Sequence, residues 1–218
     1  MPHLFTLHAR TPDATVLARI AERIRHGDVI LYPTDTGMAL GCALRNKTGI
    51  DRIRTIRGLP SRQSMTFLCD SLAHIAEYAI VSDRAFHVMK KLIPGPYTFI
   101  LPATKSVPSY AHDPKRTSVG IRVPDSMIAR EILRSLDEPL ISVSAKNSNN
   151  EEYYSWQECV DDLSSLVDVV VAIDDISNHE ESLGFERSTI IDMQTKAFSI
   201  VRRGAQFEEA ESLIEQLV

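Results

Sequence analysis

Residues 29–68 read VILYPTDTGMALGCALRNKTGIDRIRTIRGLPSRQSMTFL, and this stretch constrains the fold more than any other. The apolar run 29–32 predicts a buried strand that stops at Pro33-Thr34-Asp35-Thr36. Proline cannot donate to a ladder, and the hydroxyls and carboxylate favour a turn. The strand end therefore presents polar groups at a mouth. Residues 37–41, with Gly37, Ala39 and Gly41, predict a second loop that lets backbone approach a ligand or another backbone. Residues 45–62 then carry Arg45, Lys47, Arg52, Arg54, Arg57 and Arg62 against Asp51, interleaved with Ile50, Ile53 and Ile56. That spacing predicts a helix over 48–57 with an apolar stripe and a basic flank, ended by Gly58-Leu59-Pro60. Arg54 and Arg57, three apart, are placed to converge on one anion.

Working outward, alternating apolar segments predict strands at 5–8, 65–69, 97–101, 118–123, 140–143, 168–173, 188–192 and 197–202. Helices are predicted at 14–26, 72–78, 83–92, 127–136, 155–166 and 207–217, the first opened by a Thr11 hydroxyl cap with Pro12 at its first position. Gly27 stops that first helix, while Ser82 and Ser126 open the fourth and fifth counted along the chain. Residues 104–117 read as a long surface loop and candidate lid, and 146–154 as a turn-rich loop. Several strands follow one another near the C-terminus with room only for loops. The expected architecture is therefore an α/β fold of α+β character, a twisted mixed β-sheet covered by helices, with 1–218 as a single domain.

The net charge of −5 conceals an asymmetry. Residues 1–148 hold 20 Lys or Arg against 13 Asp or Glu, whereas 149–218 hold 4 against 16. A basic body points to an anionic ligand, nucleotide or RNA. Cys42, Cys69 and Cys159 are too few and too scattered for a disulfide framework and read as buried free thiols. The seven histidines show no paired-ligand spacing, so no protein metal site is expected. Neither familiar nucleotide loop, Gly-x-x-x-x-Gly-Lys or Gly-x-Gly-x-x-Gly, occurs. There is no basic leader followed by an apolar segment and no run of about 18 apolar residues, which leads us to expect a cytoplasmic protein without a membrane partner.

The ordered motifs YPTDT with its Gly-Met-Ala-Leu-Gly-Cys element at 32–42, IRGLP at 56–60, PGPYTFIL at 94–101, GIRVP at 120–124, PLISVSA at 139–145, STIID at 188–192 and VRRGA at 201–205 resemble those of the YrdC-like family. Its best-known members are threonylcarbamoyl-AMP synthases. The resemblance spans about residues 14–205. It implies the YrdC-like (DHBP synthase-like) fold and a reaction joining L-threonine, bicarbonate and ATP, with Mg²⁺, into threonylcarbamoyl-AMP and pyrophosphate for tRNA modification. Such chemistry needs no enzyme nucleophile, only charge neutralisation and positioning. Carried over by position, Thr34 would contact the amino acid. Arg57 and Arg122 would be catalytic, the latter on the reacting carboxylate or phosphate. Arg54, Ser142, Ser144, Ser188 and Arg202 would hold the nucleotide.

Departures from the synthase pattern resemble the YciO-type branch of the family. Where synthases carry Lys-Gly-Arg-Pro and then Lys-Pro-Leu, this chain has Arg57-Gly58-Leu59-Pro60 and Gln63-Ser64-Met65. Ser-Ala-Asn becomes Ser144-Ala145-Lys146, and Met38 replaces a tyrosine. Two other readings stand beside the synthase: a module binding tRNA or double-stranded RNA without catalysis, and an enzyme for another small phosphorylated substrate.

Overall fold

The structure, a computed structural model, describes residues 1–60, 63–111, 117–174 and 186–216. Strand β1 is His3–Leu7 and helix α1 is Ala14–Arg25. The cap of α1 is Asp13 rather than Thr11, so Pro12 lies outside the helix. One Asp13 carboxylate oxygen accepts from the amides of Thr15 and Val16 at 2.7 and 3.0 Å, satisfying two donors that a helix start leaves unpaired. A carboxylate also suits the positive end of the helix dipole. Gly27, at φ +104°, ends the turn as expected.

Strands β2 (Ile30–Thr34) and β3 (Gly37–Ala43) form an antiparallel hairpin across Asp35-Thr36. The loop expected over 37–41 is thus a strand, buried along its whole length. Gly37, at φ +105°, still serves the turn, whereas Gly41 serves close packing. A Cβ on Gly41 would lie 2.9 Å from Cε1 of Tyr32 and 3.3 Å from the Ile141 carbonyl oxygen. The turn is shorter than expected, because Pro33 and Thr34 continue β2 opposite Met38 and Gly37 and only Asp35-Thr36 turn; there the Thr34 hydroxyl donates to the Gly37 carbonyl at 2.7 Å and accepts from the Thr36 amide at 3.2 Å.

The remaining elements follow the periodicity closely. They are α2 (Lys47–Ile56), β4 (Thr66–Leu68), α3 (Leu72–Tyr78), α4 (Asp83–Leu92), β5 (Tyr97–Pro102), β6 (Ser118–Arg122), α5 (Met127–Leu136), β7 (Leu140–Ser144), α6 (Trp156–Leu163), β8 (Val169–Ile173), β9 (Thr189–Asp192), β10 (Ser199–Arg202) and α7 (Phe207–Glu215). Ser82 and Ser126 cap α4 and α5. A 3₁₀ turn, Ser164–Leu166, finishes the segment expected to be helical to 166. The candidate lid is fastened rather than free: Val107 and Ala111 are buried, Thr104 donates to the Glu77 carbonyl at 2.7 Å, and the Tyr110 carbonyl accepts from Arg54. Residues 112–116 of that segment lie outside the described residues.

All ten strands join one mixed sheet in the order β1-β8-β2-β3-β7-β4-β6-β5-β9-β10. Pairing is parallel at β1–β8, β8–β2, β4–β6 and β5–β9 and antiparallel elsewhere. Paired residues share a sheet face, and neighbouring residues along a strand do not. One cross-sheet row runs Cys42, Ile141, Phe67, Ile121, Phe99, Ile191, every member fully buried. The next row, on the opposite face, runs Gly41, Ser142, Thr66, Gly120, Ile100, Asp192. The first row contributes roughly 1.5–3 kcal/mol per large side chain by leaving water, while α1 and α5 pack on each other, α5 on β2 and α2 on β3. The second row is small or polar apart from Ile100, and its Ser142 and Thr66 line the cavity described below.

Candidate functional site

Small residues in mid-sheet leave a cavity of about 250 Å³ above the central strands. Strand ends bring chemistry to it. Thr34 and Thr36 come from the β2–β3 turn, Ser142 and Ser144 from β7, and Arg122 from the end of β6. Thr98 comes from β5, Ser188 from the entry to β9 and Arg202 from β10. Six of the eight residues expected from the sequence therefore meet here: Thr34, Arg122, Ser142, Ser144, Ser188 and Arg202.

Arg122 is only 6% exposed, and its orientation is set by three bonds. Nε donates to the Gly95 carbonyl at 3.2 Å, Nη1 to the Thr36 hydroxyl at 2.7 Å and Nη2 to Asp35 Oδ1 at 2.5 Å. The Asp35–Arg122 pair is thus a largely buried ion pair, and the second Asp35 oxygen, Oδ2, is buried without a hydrogen-bond partner among the described residues. Across the cavity, Arg202 donates from Nε and Nη2 to the Ser188 carbonyl at 2.9 and 2.8 Å and from Nη2 to the Ser188 hydroxyl at 2.9 Å. That hydroxyl lies 3.0 Å from Thr98 Oγ1. Gly204 permits this clamp, because a Cβ there would lie 2.1 Å from the Arg187 carbonyl oxygen. Beneath the cavity, the Ser142 hydroxyl meets the hydroxyl of fully buried Tyr32 at 2.7 Å.

A second cavity of about 550 Å³ adjoins the first and shares Gln63, Val143, Ser144 and Arg202 with it. Here stands Arg57, at the C-terminal cap of α2, donating from Nε to the Ser144 carbonyl at 2.8 Å and from Nη2 to Asn150 Oδ1 at 3.1 Å. Lys146 and Arg187 line it too, both bonded to Glu152. Burial draws the Arg57 and Arg202 guanidinium groups below their ordinary range, and the neighbouring Arg187 lowers Arg202 further. Both start so high that they keep their charge at neutral pH.

Arg54 does not join them. Its guanidinium bonds Asp51 at 3.0 Å and the Tyr110 carbonyl at 3.1 Å, and it lines neither cavity. The expected convergence of Arg54 and Arg57 is absent because α2 ends at Ile56. Arg57, past that end, turns toward β7 while Arg54 stays on the helix flank.

Several lining residues were not singled out from the sequence. Thr36 sits in the quoted PTDT turn, and Thr66 and Thr98 are lone hydroxyls at the cavity-facing parity of apolar strands, a signal the alternation holds. Glu152 and Arg187 carried none: 35 residues apart, they meet only through the fold. All three cysteines are buried and free, and burial pushes the Cys42 and Cys159 thiols up to about 12.

Among the described residues no group of three or more His, Cys, Asp or Glu stands where it could hold a metal ion. No helix among the described residues is long and apolar enough to cross a membrane.

The Sua5_yciO_yrdC family model, described as Telomere recombination, matches residues 22–204. YciO of Escherichia coli strain K12 is 37% identical over 205 residues, covering 94% of this chain and 96% of that protein. The E. coli YciO crystal structure superposes with a TM-score of 0.84 at 36% identity, over 94% of this chain and 97% of that one. A threonylcarbamoyl-AMP synthase of Vibrio vulnificus strain YJ016 is 25% identical, covering 71% of this chain and 84% of the synthase. The fold is also that of P. abyssi Sua5 crystallised with L-threonine, with a TM-score of 0.84 at 23% identity over 97% of this chain and 60% of that one. With its mixed sheet, its seven motifs in order and these matches, the chain belongs to the Sua5/YciO/YrdC family.

Proposed function

We propose that the protein is an ATP-dependent synthase of the threonylcarbamoyl-AMP type. The observation that carries this is the pair of adjoining cavities, one lined with hydroxyls around Arg122 and the other with Arg57, Lys146 and Arg187, joined at Ser144 and Arg202. Two anionic reactants must be held side by side, and two adjoining recesses with fixed cations suit that task. On this reading the amino group of L-threonine and bicarbonate give a carbamate, with loss of water. A carbamate oxygen attacks the α-phosphorus of ATP, the bond to the β-phosphate breaks, and pyrophosphate leaves. Thr34 and Arg122 orient the amino acid and its carbamate, Ser142, Ser144 and Ser188 border the nucleotide, and Arg57 and Arg202 take up charge on the departing pyrophosphate. Mg²⁺ would supply further neutralisation of the triphosphate.

The relative from V. vulnificus named as such a synthase and the Sua5 crystals containing L-threonine support this reading. Recessed cations also suit a small ligand better than duplex RNA: Arg57 and Arg122 are 9% and 6% exposed, and a duplex presents its phosphates on a convex surface. The test is pyrophosphate release with ATP, Mg²⁺ and bicarbonate, with and without L-threonine. Threonine-dependent release is expected, and Arg57→Ala should lower it roughly 100-fold or more while keeping the circular dichroism of the folded protein. No release with threonine present contradicts the proposal.

A further inference from the structure

Lys146 stands where synthases carry asparagine, and its surroundings show what the change brings. Its side chain is only 9% exposed, so the ammonium needs partners, and the chain supplies the Asn150 carbonyl, to which Nζ donates at 3.1 Å, and one carboxylate. Lys146 Nζ lies 2.9 Å from Glu152 Oε1, and Arg187 Nε donates to the same oxygen at 2.9 Å. Among the described residues of this cavity Glu152 is the lone carboxylate, facing Arg57, Lys146, Arg187 and Arg202. The intervening loop presets it there, since Asn147 Oδ1 accepts from the Asn149 and Glu151 amides at 3.0 and 2.9 Å and Asn150 adopts φ 63°.

A carboxylate oxygen and a phosphate oxygen are interchangeable acceptors for ammonium and guanidinium donors. We propose that Glu152 is a resident counter-anion of the second cavity, holding Lys146 and Arg187 until the polyphosphate of a nucleotide takes them over. The proposal rests on the reading that this cavity receives phosphate. It makes Glu152 the residue that sets polyphosphate affinity: the ligand must displace an internal anion, and Lys146 contributes to binding only once released. Arg57 and Arg202, bonded to neutral carbonyl, amide and hydroxyl oxygens, stay available throughout.

The experiment is calorimetric binding of inorganic tripolyphosphate to the full chain. Glu152→Gln should tighten binding about 10-fold or more and steepen its salt dependence, because two cations are freed. Lys146→Met should cost little in the native background and about 10-fold in the Glu152→Gln background, a non-additivity that a shared contact produces and a general charge effect does not. Glu152→Ala should change affinity in the same direction as Glu152→Gln. A purely structural tie predicts the opposite sign, with a lower melting temperature and weaker binding. Unchanged or weaker binding in both Glu152 variants, or equal Lys146→Met costs in the two backgrounds, overturns the proposal. The probe requires neither threonine nor turnover. Tightening without pyrophosphate release would therefore keep the counter-anion and remove the synthase reading, and release without tightening would do the reverse.

Discussion

At the scale of single residues, the Asp35–Arg122 pair decides how much of the site is built before a ligand arrives. Both side chains are mostly withdrawn from water, at 7% and 13% side-chain exposure for Arg122 and Asp35, so each is the other's counter-charge. Removing one member of such a pair costs about 3–5 kcal/mol, mainly by stranding the other. We expect Arg122→Met to lower stability by that amount in urea denaturation, and Asp35→Asn added to it to restore more than half. Independent, additive losses would show that the pair is not the constraint. Arg122 was legible in the sequence through GIRVP, and its lock was not: Asp35 and Thr36 stood in a quoted motif whose reading stopped at turn formation. A turn residue that also reaches across 87 positions to an arginine leaves no local mark.

At the scale of elements, the hairpin β2–β3 shows where sequence reading failed and why. Gly37, Ala39 and Gly41 were read as a loop whose small residues let backbone come close; the segment is a strand, and the close approach is real at Gly41, where the missing side chain makes room for the Tyr32 ring. Gly41→Ala should cost about 1–3 kcal/mol by overpacking, and should disturb the Tyr32–Ser142 contact that supports the cavity floor. A substitution without thermal consequence would mean that the close approach is relaxed. The entry to β2 and the middle of α2 are tied by another carboxylate, Asp168, which accepts from the Val29 amide and from Arg52 at 2.9 and 2.5 Å. Burial pushes this carboxyl up, but the Arg52 and Val29 hydrogen bonds and the Arg52 charge outweigh it, and the net direction is below 3.8. A depressed carboxylate stabilises the fold above its unfolded value and loses that contribution as pH falls through the folded one. Asp168→Asn should therefore be less stable than the native chain at neutral pH, with the gap closing below about pH 4; a gap independent of pH contradicts the assignment.

At the scale of the whole molecule, six neighbouring strands place an apolar row on one face of the sheet and, one residue away, a row with Ser142 and Thr66 on the cavity face. The apolar row, from Cys42 to Ile191, was legible because alternation and β-branched content report directly on burial. The cavity row was legible in part, through serines and threonines at the matching parity. The second cavity was legible only at Arg57, because Glu152 and Arg187 come from two further segments and meet it only through the fold. The mixed sheet and the motif order give the family, and the two adjoining cation-lined recesses support the proposed chemistry. The most direct test is to incubate the protein with ATP, Mg²⁺, L-threonine and isotopically labelled bicarbonate and to examine the nucleotides by mass spectrometry. The account predicts an adenylate carrying both threonine and the labelled carbon, formed together with pyrophosphate. ATP left intact under those conditions, with tight binding of both substrates, would contradict it.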